Sequence, residues 1–573
     1  MAVKLTGNSS TSAALPKKEV QQKEVKPPPP PPPPSRTSPT QVSDGFDPPR
    51  ARPVDLGSTL SGTPLNAQRQ VPQQNTTAAT GGTPASVTAT GGAAGSTTIP
   101  PATGVDPSFY AGPPPESPEQ AAEWLSDPNN ARYEGFNGTQ LRSQDMAWLA
   151  ANGPEKLPEV FNALGPEETS ELVADTVNGT FNDNSQFFPN DAALRSSFNS
   201  IATALGTMPA SFQTEVGTRL AREGNAEASL LLRQGGPGLD AARRGYLDAA
   251  REQARSDPFM ARAAGNVLAG SQTLVNEYAQ AWGDDFLSML DKGLGDLPPH
   301  SRDSFHSGFA SMQHDGLEQV VGMMANYNGP DAQLHKAQVF GTAARTLDEQ
   351  GNDNASLRAG LDQLFLSDSR GIVEWLSDGT RPDEAGLPAS GRRANPAMDA
   401  KGEALSLYFR ESVFENPDPN GAVVQQVNTL VGELKGELLG ASTQDERNRV
   451  GGFLGYLVGT AALGYEGAYD ANKDSQEARA ALVNMIFKPL EGKLTGAATA
   501  AGGPAAGLLA GEISKTGKEA LIDFLNSGLK DDQNRMGELF DNVLTDVFSG
   551  VPVEHQSAVN AMLGRLLGLD DLP

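Results

Sequence analysis

The sequence predicts an all-α fold: a multi-helix bundle, or bundles, of short amphipathic helices behind a long disordered N-terminal tail. Three observations carry the prediction. From about residue 117 onward, apolar residues recur at three- and four-residue steps between short Gly/Pro/Asn breaks, and alternating β-branched runs are nearly absent. Ahead of that point the chain is rich in Pro, Thr and Gly and offers little to bury. One pentapeptide also occurs twice within the helical part, which points to two related helical halves.

Residues 1–116 form the predicted tail. Pro27 to Pro34 is an unbroken run of eight prolines, which favours stiff polyproline II. Asp44, Gly45, Phe46 and Asp47 make a candidate docking motif, with unselected spacer as the plainer reading. A Pro/Thr-rich N-terminus with such a DGF stretch resembles the tails of exported proteins from predatory soil bacteria. That resemblance implies contact with export machinery or a protein partner through the tail. The first twenty residues hold no apolar run of signal-peptide length. The expectation is cytoplasmic synthesis without a cleaved signal peptide, followed either by residence there or by export along a leaderless route.

Charge narrows the partners. The chain of 573 residues carries 44 Lys/Arg and 70 Asp/Glu, a net −26. Residues 1–110 hold nine Lys/Arg against six Asp/Glu, so the remainder carries about −29. So acidic a body repels phosphate backbones and anionic lipid, which excludes nucleic acid as the expected partner. Cysteine is absent, and with it disulfides, thiolate metal sites and cysteine nucleophiles.

The first helix is expected at Ser117-Pro118-Glu119-Gln120: N-cap, proline at the first position, then acid and amide in the first turn. The halves are expected at about 117–320 and 321–573. Glu123-Trp124-Leu125-Ser126-Asp127 recurs as Glu374-Trp375-Leu376-Ser377-Asp378, an offset of 251. Val160-Phe161-Asn162 aligns with Val413-Phe414-Glu415 at a similar offset. Near the C-terminus, Val559, Met562, Leu563, Leu566 and Leu567 mark an amphipathic face.

Residues 449–512 are the most unusual stretch. Val450 to Tyr465 and Leu494 to Gly511 are uncharged, at 16 and 18 residues. Each holds a GxxxGxxxG spacing: Gly451, Gly455, Gly459, then Gly503, Gly507, Gly511. Glycines four apart share a helix face and let a second backbone come close, so the two segments are expected to pack as a hairpin. Both fall short of the ~20 residues that span a bilayer, and a buried hairpin is favoured over insertion.

No constellation names a reaction. Four of the five histidines, His300, His306, His314 and His335, lie close in sequence at spacings that suit no metal pair, and His555 stands apart. Asp470, Asn472 and Asp474 open like a calcium loop, but Ala481 stands where a bidentate Glu is needed. An Asx-rich helix cap is the favoured reading there, a weak Ca²⁺ site the alternative, and no other cofactor is expected. Asn416, Asp418 and Asn420 read the same way.

The functional expectation is an exported bacterial helical protein that works by binding or assembly, without catalysis. The first alternative is a membrane-active translocator or pore-former using 450–465 and 494–511, whose layout is similar to bacterial translocators and pore-forming toxins. The second is a hydrolase toxin whose carboxylates the sequence does not locate.

Overall fold

The computed structural model describes residues 110–182, 191–295, 316–350, 354–378, 400–471, 473–491 and 552–567, with positions 521, 524–526, 539 and 543. The chain divides into two units, 1–94 and 95–573, and every described residue belongs to the second. Among the described residues there are nineteen α-helices and no strand, so the all-α expectation holds.

Helix α1 (Pro118–Leu125) starts where the sequence places it. Ser117 Oγ accepts the Gln120 N–H at 3.2 Å, and Gln120 Oε1 accepts the Glu116 N–H at 2.7 Å. This reciprocal pair satisfies two amide donors at the helix start. The predicted tail is shorter than expected at this end, because residues 110–116 lie as a strap against α2 (Gly138–Asn152). Helix α3 (Leu157–Asn182) bends at Gly165, whose φ of +75° suits glycine alone among common residues, with Pro166 following.

Helices α4 (Asp191–Gly206), α5 (Ala210–Arg222), α6 (Ala228–Arg233) and α7 (Asp240–Ala254) come next. The closest helix crossing described is α5 on α7. A Cβ at Gly217 would stand 1.9 Å from the Ala242 carbonyl oxygen, and one at Gly245 would stand 2.3 Å from that of Thr214. The intervening turn is held by Arg243, discussed below.

Helices α8 (Pro258–Ala269), α9 (Gln272–Trp282), α10 (Asp284–Gly295) and α11 (Gly316–Met323) lead to α12 (Ala332–Gln350) and α13 (Ala355–Ser377). Helix α11 packs on α8 and α13, and α10 packs on α12. One apolar core therefore continues across position 320/321, which falls inside α11. The buried pair of Arg262 on α8 and Glu318 on α11, 3.2 Å apart, sits at that crossing.

The two copies of the repeated pentapeptide do the same local work. Each closes a helix, α1 and α13, with Leu125 and Leu376 fully buried. Each Trp is half-buried beneath a cation: Arg132 lies 4.0 Å from the Trp124 ring, and Lys401 lies 4.0 Å from that of Trp375.

Helix α14 (Ala400–Tyr408) runs into a π-helical turn, Phe409–Phe414. Then come α15 (Ala422–Gly440), α16 (Gln444–Asp470), α17 (Gln476–Leu482), a second π-turn at Val483–Phe487, and α18 (Lys488–Glu491). Helix α19 (Val553–Leu567) is the last. It buries Val559, Leu563 and Leu566, the face its spacing predicts. Helix α16 is opened by a full capping box between Thr443 and Glu446.

Lys435 on α15 is buried, and its ammonium donates to the Leu490 carbonyl of α18. Burial pushes its pKa down to about 8. The folded value lies below the unfolded one, so the fold disfavours the protonated form. The penalty is complete below about pH 8 and fades as pH rises toward the unfolded lysine pKa of about 10.4. Stability should therefore rise between about pH 8 and 9.5, below the unfolded tyrosine range. Lys435→Met should flatten that rise and stabilise the protein at neutral pH by about 1–2 kcal/mol. Urea midpoints across this range check both; parallel profiles for the two proteins would remove Lys435 as the cause.

Candidate functional site

The sequence singles out the glycine-faced stretch, and the structure gives half of it a partner. Gly451, Gly455 and Gly459 lie on one face of α16 and meet α19. A Cβ at Gly451 would approach Ala558 Cβ to 2.8 Å. At Gly455 it would come within 2.7 Å of Met562 Cβ and 2.9 Å of the Val559 carbonyl oxygen, and at Gly459 within 2.5 Å of Leu566. The expected partner was the segment 494–511. The described partner is instead the C-terminal helix, whose Ala558, Val559, Met562 and Leu566 recur at the three- and four-residue steps that mesh with such a face. Gly503, Gly507 and Gly511 lie outside the described residues. No helix among the described residues is long and apolar enough to cross a membrane.

Gly455→Leu should overpack this contact and cost about 1–3 kcal/mol. Gly432 is the control: it sits within α15 with nothing within 4 Å of an added Cβ. Gly432→Ala should instead stabilise by about 0.5–1 kcal/mol by removing backbone freedom from the unfolded chain. Matching losses in the two denaturation curves would show that contact distance is not what matters.

The other side of α16 was not legible in advance. Gly464 and Gly467 let the end of α14 and the π-turn come close: a Cβ at Gly464 would meet the Ser406 carbonyl oxygen at 2.8 Å, and one at Gly467 would meet Arg410 Cδ at 2.9 Å. Arg410 is the centre of a buried ionic cluster. Its guanidinium donates to Glu411 at 2.9 and 2.7 Å, pairs with Asp348 of α12 and lies 3.8 Å from Glu415. Arg410, Asp348 and Glu411 are all buried. Beside it, Tyr408 donates to Asp362 of α13 at 2.7 Å, and burial raises the pKa of that carboxyl. Rings of Phe340, Phe365, Tyr408 and Phe409 pack at 5.0–6.0 Å between centroids and wall this region.

Here buried carboxylates converge, and the sequence offers a signal in hindsight: the pair Arg410-Glu411 interrupts an otherwise uncharged, largely apolar run from Leu405 to Phe414. Its chemistry is that of a junction. The charges pin α12 to the π-turn, and Gly464 and Gly467 bring α16 against the same turn. Removing one member of such a buried network leaves an uncompensated charge.

The remaining sequence candidates resolve individually. Asp474 accepts Tyr465 Oη at 2.6 Å and pairs with Arg479 at 2.6 Å, so its oxygens are engaged by protein donors. Ser475 caps α17, accepting the Ala478 N–H at 3.0 Å. Asn472 lies outside the described residues, and no group of acidic or histidine side chains among the described residues has the arrangement of a metal site. Asp418 Oδ1 accepts the Asn420 N–H at 3.0 Å, the Asx turn its sequence suggests. His335 Nδ1 contacts Tyr327 Oη at 3.0 Å, and His555 Nδ1 contacts the Leu438 carbonyl at 2.9 Å. Asp44, Gly45, Phe46 and Asp47 lie outside the described residues, as do His300, His306 and His314.

The strap supplies a second site that sequence reading missed. Tyr110 Oη donates to the Gln144 carbonyl at 3.1 Å, and the Ala111 N–H donates to Gln144 Oε1 at 2.8 Å. Arg132 donates to the Pro113 carbonyl at 2.7 Å and grips Asp145 through two bonds of 2.6 and 2.9 Å. Tyr133 Oη adds a third bond to Asp145, at 3.0 Å. Asp145 is completely buried, and its hydrogen bonds and charge hold the Arg132 guanidinium more firmly protonated, against the opposing effect of burial. A few residues away Phe136 is fully exposed, in a turn that closes where the Gly138 N–H donates to the Gly135 carbonyl at 3.1 Å.

Compared with protein-family models and with curated protein sequences, the chain matches none.

Proposed function

We propose that the chain is an exported bacterial helical protein that works by binding and assembly without catalysis, with its N-terminal tail as tether and export handle. The strap carries this reading. Gln144, Asp145 and Arg132 fix residues 110–113 to α2, which gives the low-complexity chain before them a rigid point of departure. Tethers need such an anchor, because a loose attachment would spend binding energy on ordering itself. Fully exposed Phe136 near that anchor is the kind of aromatic side chain that partners bury. The buried ionic groups support the non-catalytic part, since Arg132, Arg262, Arg243 and Arg410 all bind elements of the fold together.

The test replaces Asp44, Gly45, Phe46 and Asp47 by alanine in the full chain and follows the extracellular fraction in the producing bacterium. Export should fall to background while the melting curve of the purified protein stays unchanged. Unimpaired export would remove the motif from the proposal. The competing membrane role is checked on the same preparations by dye release from liposomes at neutral and mildly acidic pH, where a binding protein releases none.

A further inference from the structure

Five Asn-Gly pairs occur in the sequence, at Asn137, Asn152, Asn178, Asn328 and Asn420, and all five lie among the described residues. The pair is chemically labile, because glycine leaves its own amide nitrogen uncrowded and able to reach the carboxamide carbon of the asparagine before it. Folding decides which pair can react, since an N–H held in a hydrogen bond must first be freed by local opening. Four pairs are held. The Gly138 N–H donates to the Gly135 carbonyl at 3.1 Å, and the Gly421 N–H to that of Asp418 at 2.9 Å. The Gly153 N–H donates to the Leu149 carbonyl at 2.9 Å, and the Asn152 carboxamide itself donates to the Trp148 carbonyl at 2.8 Å. Asn178 and Gly179 lie inside α3, within its ladder of helical bonds. Asn328 differs. It is exposed, between the 3₁₀ turn Met324–Asn326 and α12, and among the described residues neither its carboxamide nor the Gly329 N–H has a hydrogen-bond partner. Packing imposes the glycine there: a Cβ at Gly329 would stand 2.5 Å from Tyr327 Oη and 2.7 Å from Cζ of the same ring.

We propose that Asn328 is the site at which this chain deamidates spontaneously, with water as the co-reactant. The Gly329 nitrogen gives up its proton and bonds to the Asn328 carboxamide carbon. The carboxamide nitrogen takes that proton and leaves as ammonia, and a five-membered succinimide remains. Water then adds to either ring carbonyl and breaks its bond to the ring nitrogen, which regains a proton. Opening at the side-chain carbonyl gives aspartate. Opening at the main-chain carbonyl gives isoaspartate, whose backbone runs through the former side chain and is one methylene longer. Either product adds a negative charge close to Asp331, a residue already held at a φ of +53°. The turn has little slack for the longer form, because Tyr327 Oη donates to the Pro330 carbonyl at 3.3 Å and contacts His335 Nδ1 at 3.0 Å. Isoaspartate should break that closure and loosen the corner where the chain enters α12.

The test ages the purified full chain in mildly alkaline buffer, natively and in denaturing urea, and follows all five pairs by peptide mass spectrometry. In the native chain Asn328 should keep close to its rate in urea, while each of the other four slows by about fivefold or more. Slowing of Asn328 equal to that of the other four overturns the assignment. The second readout compares aged wild type with aged Asn328→Gln, a change confined to an exposed side chain. Wild type should develop a fraction that isoaspartyl methyltransferase labels and that unfolds at a lower urea midpoint, and the variant should develop neither. Equal labelling of the two proteins also overturns the site, and a labelled fraction with the midpoint of fresh protein overturns the loosening.

Discussion

Replacing Arg243 by methionine should cost about 3–5 kcal/mol, the range for breaking a fully buried, multiply bonded charge site. Arg243 has no exposed surface, and its guanidinium gathers the turn between α6 and α7. It donates to the carbonyls of Leu232, Gln234, Gly235 and Gly236 at 2.8, 2.9, 3.0 and 3.3 Å, and to Asp240 at 2.8 Å. Methionine fills a similar volume but donates nothing, so four carbonyls and one carboxylate lose their partner together. Burial lowers the pKa of Arg243, opposed by Asp240, yet an arginine so placed stays charged at any working pH. Arg243→Lys should fall nearly as far, because an ammonium on a longer, thinner stem cannot reproduce a planar fork of five donors. Urea midpoints measure both. A lysine variant as stable as wild type would show that charge, not fork geometry, holds the turn.

The second large effect is expected at the strap. Asp145→Asn keeps the shape and removes the charge that Arg132 and Tyr133 converge on, for a loss of about 3–5 kcal/mol locally. The readout is limited proteolysis between Tyr110 and Ser117 together with the denaturation midpoint. Fast cleavage there, with a lowered midpoint, is the expected pair of results, because the same arginine that binds Asp145 also holds the Pro113 carbonyl. Protection equal to wild type would mean that Tyr110 and Gln144 suffice to fix the strap. Loosening should also reduce export or binding in proportion, if the anchor serves the tail as proposed.

Much of the fold was readable because helices write themselves locally. The cap at Ser117, the Asx turn at Asp418 and the amphipathic face of α19 each depend on residues a few positions apart, and each formed as its spacing says. The glycine face of α16 was legible as a place of close approach, since steps of four determine which residues share a face. Its partner was not. Sequence proximity favoured the segment 494–511, whereas the helix that fits lies at the far end of the chain. Periodicity names a face and is silent about which complementary face meets it.

The sequence by itself determined that the described residues from Pro118 onward fold as helices without strands, that the body is strongly acidic, and that cysteine chemistry is closed to it. Tertiary structure alone decided which charges are spent. Arg132 and Arg243 look like any surface arginine in the string of letters, and the run around Arg410 hints at burial without naming a partner, yet each is buried or nearly so against acids 13, 3 and 62 residues away along the chain. The physical reason is that burial is a property of packing. A guanidinium becomes a structural clamp when neighbouring helices exclude water around it, and that exclusion depends on contacts whose separation along the chain no local pattern encodes.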